Sequence, residues 1–464
     1  MFLENKKFHF IAIGGVGMSA LAKYLAERGA TVSGSDIQES KYTHLLEDKG
    51  VKVTIGHSED NIEKDMIVVA STAIKNTNPE IIKAKELGLK IYHRSDILKM
   101  ISDEFSQNEK SFFFGFSGTH GKTTTSGMCA YVLNKAGLKP SYVVGGIIPE
   151  LNTNGEYADN KYFSAELDES DGTLEKYSTD IAVVNNMEED HLDYYKNGFS
   201  DIVKTFNKYL SNKPNQKVII NTDNEGNREF IKIYQNYNYI SFGKNNANYT
   251  IKNIKLIDLG SEFDIYYKEE KLDTIKLSVL GEHNIYNATG VYIALREAGI
   301  NVSSLKEHFT TFSGMGRRFQ KVCEFNEIKI FDDYAHHPSE IKTTLVSLKN
   351  AVKDRNRVIA IFQPHRYSRL KGLWEEFKTA FDSADLVYVT DVFSAGEDEI
   401  KGATSENFVN DLNSNKFIYT KGSLLDNAIE ISNNIKPNDI IVTLGAGTIT
   451  KLGNLIEEEH KICQ

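Results

Sequence analysis

The strongest chemical signal in the chain is Gly118-Thr119-His120-Gly121-Lys122-Thr123-Thr124-Thr125. It lies between an apolar run, SFFFGFSG at 111–118, and a helical stretch, TTTSGMCAYVLNKAG, that Gly137 ends. Backbone N–H groups in such a turn point at an anion, and the helix N-terminus adds partial positive charge. Lys122 has the reach for outer phosphates, and the Thr123 hydroxyl suits a magnesium ion. The common phosphate loop asks for a glycine where Phe116 stands; Gly115 and Gly118 flank it instead. An ordinary glycine turn before a helix is the alternative, and the combination of strand, GK-T-T and helix argues against it.

A second turn, Gly14-Gly15-Val16-Gly17 followed by Ala20, fits the dinucleotide fingerprint, with Asp36 at the end of the next strand. By itself it reads as an NAD site, yet a glycine turn at a helix start accepts any diphosphate, including that of a UDP-sugar. Two acidic loops, YFSAELDESD at 162–171 and VVNNMEEDHLDYY at 183–195, follow apolar runs. Glu166 and His191 there are candidate magnesium ligands, with a solvated acidic loop the even alternative. Basic groups gather in GMGRRFQ (314–320), DDYAHHPSE (332–340) and QPHRYSR (363–369): Arg317, Arg318, His336, His337, Arg366 and Arg369. Arginine forks suit carboxylates and phosphates; scattered surface charge is the alternative. In EHNIYNATG, Asn284 or Asn287 can meet a nucleotide base, although physics alone favours helix capping.

These residues need elements to hold them. HFIAIG (9–14), TVSGSD, VKVTIG and DMIVVAST read as strands alternating with helices, the pattern of a doubly wound parallel sheet. The polar stretch 101–110 breaks that pattern and is read as a boundary. IAVVNN and KVIINTDN continue a central unit; 241–281 is strand-rich, and a long helix over 283–299 closes it. Beyond Gly314, IKIFDDYAHHP, RVIAIFQPHR, LVYVTDVF and IIVTLGAG are strands whose C-terminal ends carry polar groups, where α/β sheets bind ligands. The expected architecture is α/β in three domains. These are a Rossmann-like N-terminal domain (1–107), a central P-loop ATPase-type domain (108–313) and a Rossmann-like C-terminal domain (314–464).

The 464 residues carry a net charge of −10, which disfavours non-specific nucleic-acid binding, and 40% apolar residues, ordinary for a soluble globular protein. No apolar run reaches membrane-spanning length, and the N-terminal stretch is unlike a secretion signal, so the expected location is the cytoplasm. Cys129, Cys323 and Cys463 have neither disulfide-framework nor zinc spacing.

In this order the motifs resemble the Mur ligase family: GTHGKTTT at 118–125, NNMEEDHLDYY at 185–195, GEHNIYNATG at 281–290, GMGRRFQ, DDYAHHPSE and FQPHRYSR. The resemblance runs nearly end to end. GGVGMSALAKYLAERGATVSGSD, STAIKNTNPE at 71–80 and the paired histidines are similar to members acting on UDP-N-acetylmuramate, with L-alanine or a recycled murein tripeptide as the incoming group. The resemblance implies ATP as co-substrate, two Mg²⁺ ions, an acyl-phosphate route and a monomer or homodimer. It implies that Gly14, Gly15, Val16, Gly17, Asp36, Ser71 and Thr72 bind the UDP-sugar. Gly118, Thr119, His120, Gly121, Lys122, Thr123, Thr124, Asn287, Arg317, Arg318 and Asp333 would meet ATP. Thr123, Glu166 and His191 would hold metal. Lys122, His191, His337, Arg366 and Arg369 would serve catalysis, the last three at the alanine end, with the C-terminal domain closing on ATP. Thr448 stands where many members carry an acid, and ELDES where EADES is commoner. From other classes, an NAD-dependent dehydrogenase leaves GTHGKTTT unexplained, and a non-catalytic nucleotide-binding protein predicts binding without phosphate release.

Overall fold

The computed structural model describes residues 3–108, 110–192, 194–257, 259–352 and 356–462; Asp193 and Cys463 from the sequence reading lie outside them. Two compact units result. The first comprises 1–254, 263–276 and 283–312, the second 255–262, 277–282 and 313–464.

The N-terminal sheet has five parallel strands in the order Lys52–Ile55, Thr31–Asp36, Lys7–Ile11, Met66–Ala70, Ile91–His93. This 3-2-1-4-5 order places the chain reversal beside the first strand, where Rossmann sheets bind their ligand. Phe8 and Phe10 are buried, and the following helix, Val16–Glu27, buries Met18 through Leu25 in an unbroken run. Between strand and helix Ala12 takes a φ of 62°, ending the strand earlier than its apolar pattern suggests.

The polar stretch beginning at Ile101 is helical as far as Ser106, as the end of a helix over Arg94–Ser106. His93 caps that helix in a capping box with Asp96, and Ile97, Leu98 and Ile101 face the core. The polar residues form its outer face.

The second sheet has ten strands in the order Glu270–Leu277, Gly260–Tyr267, Tyr249–Ile257, Tyr239–Gly243, Lys217–Asn221, Ile181–Val184, Phe112–Ser117, Tyr162–Glu166, Ser141–Ile148, Thr153–Glu156. Phe112–Ser117 is central and parallel to both neighbours, so the phosphate-type turn and the Glu166 loop emerge side by side at strand C-termini. A Cβ on Gly115 would lie 2.6 Å from Leu167 and Thr179, which explains glycine in the middle of this packed strand. The closing helix is Glu282–Glu297, with Asn284, Asn287 and most of its apolar residues buried.

In the second unit the order is Gln320–Phe325, Ile328–Asp333, Ile440–Leu444, Val358–Phe362, Leu386–Val389, Phe417–Tyr419, parallel except for the first, antiparallel pair. The fold is mixed α/β. Cys129 is buried and Cys323 half-buried, and both are free thiols. Among the described residues no helix is long and apolar enough to cross a membrane.

Candidate active site

At the phosphate-type turn, Gly118 and Gly121 take φ of 133° and 83°, values open to glycine and strained for other residues. Lys122 begins the helix Lys122–Lys135. Its Nζ donates to Gly118 O (2.8 Å), Thr119 O (3.3 Å) and Glu169 Oε1 (3.0 Å), and lies 2.9 Å from Glu169 Oε2. Burial opposes the ammonium charge, but Glu169, Asp168 and Glu166 outweigh it and hold the Lys122 pKa above its ordinary value. His120 is exposed, and its N–H donates to Asn186 Oδ1 (2.8 Å). The Thr119 hydroxyl accepts from the Glu188 N–H (2.9 Å), tying the turn to the loop that carries His191.

Asn287 sits against the same turn. A Cβ on Gly121 would lie 2.6 Å from Asn287 Oδ1, and the Asn287 amide donates to Asn284 Oδ1 (3.0 Å). The two asparagines of EHNIYNATG are therefore buried, Asn287 against the 118–121 turn and Asn284 behind it, not exposed as caps.

Glu166 ends its strand with Oε2 accepting from the Gly145 N–H (2.7 Å); Oε1 and the Thr123 hydroxyl have no hydrogen-bond partner among the described residues. His191 has a φ of 53°, and its ring lies 3.8 Å from Asp190 Oδ2. Among the described residues no three His, Cys, Asp or Glu side chains gather as a metal cage. That donor set still fits Mg²⁺, which keeps several waters and takes one or two carboxylates together with substrate phosphates.

The glycine turn Gly14–Gly17 is held by Asp36: the Gly14 N–H donates to its Oδ2 (2.9 Å) and the Ile37 N–H to its Oδ1 (2.8 Å). Asp36 thus spends both oxygens on backbone. A cavity of 320 Å³ runs from Gly15, Val16 and Gly17 past Ser71 and Arg94 to Gly145 and Glu166. It brings Gly15, Val16, Gly17 and Ser71 of the sugar-nucleotide candidates to Glu166 of the metal candidates; Gly14, Asp36, Thr72, Thr123 and His191 lie outside its lining. Sequence reading missed Arg94, whose guanidinium pairs with Asp168 (3.0 Å) on the cavity wall, and Glu169 and Gly145.

The second unit gathers its own cluster at strand C-termini. Arg317, at φ 61°, donates to the carbonyls of Gly445 (2.6 Å), Ala446 (3.3 Å) and Gly447 (3.2 Å) and stacks 4.7 Å from the Tyr334 ring centroid. Arg318 lies 5.5 Å from the same ring centroid. Thr448 accepts from Gln363 Nε2 (3.2 Å), a side-chain role of its own at this departure from the family pattern. Of the paired histidines, His336 packs against Tyr334 and His365, while His337 is exposed and bonds Ser339. Arg369 lies 3.2 Å from His365 Nδ1, and Arg366, at φ 72°, starts the helix Tyr367–Gly372. Burial, with Arg369, His336 and Arg366 nearby, pulls His365 down to about 4, so it is neutral near pH 7. Its ring, which the residue-type reading passed over, stacks on Phe393.

Asp333 accepts from the N–H groups of Ala335 (2.8 Å) and Phe319 (3.0 Å), yet burial pushes its carboxyl up to about 6 from 3.8. The fold therefore favours the protonated form. The stability this contributes is complete below pH 3.8 and is lost as pH rises through 6, by about 3 kcal/mol. Urea unfolding from pH 4 to 7 should show this decline in the unsubstituted chain and not in Asp333→Asn. The same slope in both would remove Asp333 as its source.

Fold and site together give an α/β protein with two glycine turns at helix starts, the geometry that accepts phosphate and diphosphate groups. Family models match in succession: the Mur ligase family catalytic domain at 7–106, the Mur ligase middle domain at 116–295, and the Mur ligase glutamate ligase domain at 317–447. The chain belongs to the Mur ligase family. It is 39% identical over 460 residues to a UDP-N-acetylmuramate–L-alanine ligase of Dictyoglomus turgidum, covering 98% of this chain and 97% of that one. The same-named enzyme of Carboxydothermus hydrogenoformans is also 39% identical, over 96% and 95%. The crystal structure of UDP-N-acetylmuramate-alanine ligase MurC from Thermotoga maritima superposes with a TM-score of 0.82 at 28% identity, over 99% of this chain and 100% of that one. A murein peptide ligase of Psychrobacter arcticus, at 23% identity, shares the fold with a TM-score of 0.68 over 98% of both chains.

Proposed function

We propose that this chain joins L-alanine to the carboxylate of UDP-N-acetylmuramate, cleaving ATP to ADP and phosphate, in the cytoplasm. The observation that carries the reading is the cavity from the Gly15–Gly17 turn to Glu166. A sugar nucleotide with its diphosphate at the turn and Arg94 points its acid end towards the phosphate loop. The names of relatives matched over nearly the whole chain support the substrate and the amino acid. Residues 1–107 then bind the sugar nucleotide, 108–313 bind ATP, and 314–464 bind alanine through the His336, His365 and Arg369 cluster.

In this reading a carboxylate oxygen of the sugar acid attacks the γ-phosphorus, and ADP leaves. The neutral amine of alanine attacks the acyl carbonyl, phosphate leaves with the bonding pair, and the ammonium proton passes to solvent or a base. Two anions must meet, so positive charge is the first requirement; Lys122 and the open N–H groups of its helix supply it. Magnesium held by Glu166 and Thr123, with His191 completing the family's set, would neutralise phosphate charge. Arg94 orients the sugar nucleotide, and the cavity wall of Met18, Leu21, Leu98 and Val143 limits water.

Phosphate release from ATP should require UDP-N-acetylmuramate and L-alanine together. Release with a murein tripeptide in place of alanine would move the chain to the recycling branch, and none with either would sink the ligase reading. Arg94→Ala should raise KM for the sugar nucleotide about 10- to 100-fold with a smaller change in kcat, the loss of one charged hydrogen-bonding group. An unchanged KM would take Arg94 out of the site.

A further inference from the structure

Lys122 has three N–H bonds to give, and all three are committed. Two go to the carbonyls of Gly118 and Thr119, the third to Glu169. A phosphate therefore has to displace one of them. The contact to Thr119 O is the longest at 3.3 Å, and Thr119 is only half-buried and next to the exposed His120, so water can reach the carbonyl that Lys122 releases. Glu169 is only 2% exposed, so releasing it would strand a buried carboxylate.

The segment carrying Glu169 is fixed on several sides. The Leu167 N–H donates to Phe116 O (2.9 Å) on the strand that feeds the phosphate loop. The Glu169 carbonyl accepts from the Tyr195 hydroxyl and from the Gly172 N–H (3.0 Å). Arg94 engages neighbouring Asp168, leaving Glu169 as the acid bonded to Lys122.

We infer that Glu169 is a positioning residue: it stays bonded to Lys122 when ATP binds and aims the N–H now given to Thr119 at the phosphates. The inference rests on the reading that Lys122 meets ATP phosphate, and it adds a role for an acid that touches no substrate. Glu169→Gln tests it with little change of shape. Lys122 Nζ lies within 3.0 Å of both carboxylate oxygens, so either orientation of the amide sets an N–H₂ against the ammonium and neither restores the charge.

Four proteins would be compared: unsubstituted, Glu169→Gln, Lys122→Met and the double variant. The readout is isothermal titration with a non-hydrolysable ATP analogue and Mg²⁺. Glu169→Gln should weaken the analogue about 10-fold, and the double variant should bind no more weakly than Lys122→Met alone, because Glu169 acts through Lys122. Melting temperatures provide a second measurement. Each single variant should melt lower, and the double should recover, since both charges are gone. Losses in affinity that multiply across the two sites would overturn the inference. So would a Glu169→Gln variant that melts lower yet binds the analogue normally, the mark of a purely structural pair. The ligase reading fails separately, by absence of alanine-dependent phosphate release in the unsubstituted chain.

Discussion

Lys122→Met should lower substrate-dependent phosphate release by about 10³-fold or more while leaving UDP-N-acetylmuramate binding near its original strength. The size follows from what the ammonium does. Among the described residues it is the one cation bonded to the phosphate turn, and it faces a transfer between two anions. A preorganised donor in a site screened from water contributes far more than the same contact in water. Sugar-nucleotide binding uses a different turn, Gly14–Gly17, and Arg94. Removing Lys122 also leaves Glu169 buried without its cation, a cost of about 3–5 kcal/mol. The rate is therefore measured on protein shown to be folded by its melting curve, and the Lys122→Met/Glu169→Gln variant separates lost chemistry from lost stability. Phosphate release within tenfold of the original in either variant would remove Lys122 from the reaction.

How much of this was legible depended on how local each signal is. The phosphate turn is written in eight consecutive residues, so its strand, its two glycines and its lysine are found where the spacing puts them. The strand-helix alternation of the first sheet is legible for the same reason. Helix Arg94–Ser106 was obscured because its last turns carry Ser102, Asp103, Glu104 and Ser106, and the apolar face that fixes it is set by partners distant in sequence. Glu169 and Gly145 leave no mark of their own. One matters through a lysine 47 positions away, the other through a carboxylate 21 positions away, both brought close only by sheet order. Arg317 shows a related effect. Its residue type suits phosphate, but its positive φ and the bend at Gly445–Gly447 direct the guanidinium onto three carbonyls. Residue type names a chemistry; the neighbouring backbone decides how much of it is free.

Gly145→Ala should raise the Mg²⁺ concentration for half-maximal activity about 10- to 100-fold, the range seen when the partners that orient a metal ligand are disturbed. Gly145 lies on Ser141–Ile148, the strand parallel to the one ending in Glu166, with Val143 opposite Ala165. That register puts the Gly145 N–H against Glu166 Oε2 at 2.7 Å. A Cβ at Gly145 would lie 2.3 Å from the same oxygen and 2.7 Å from Oε1, too close for contact, so the carboxylate must rotate away. The backbone of Gly145 has no positive φ, so alanine strains nothing by its own conformation. The substitution therefore acts through the position of Glu166, and excess Mg²⁺ should recover much of the rate, because the ligand is displaced and not removed. Glu166→Gln lacks that recovery. A Gly145→Ala enzyme with the original Mg²⁺ requirement would mean that Glu166 does not hold the ion. The cavity from the Gly15–Gly17 turn to Gly145 would then be a sugar-nucleotide site alone, with the metal gathered by phosphate oxygens and Thr123.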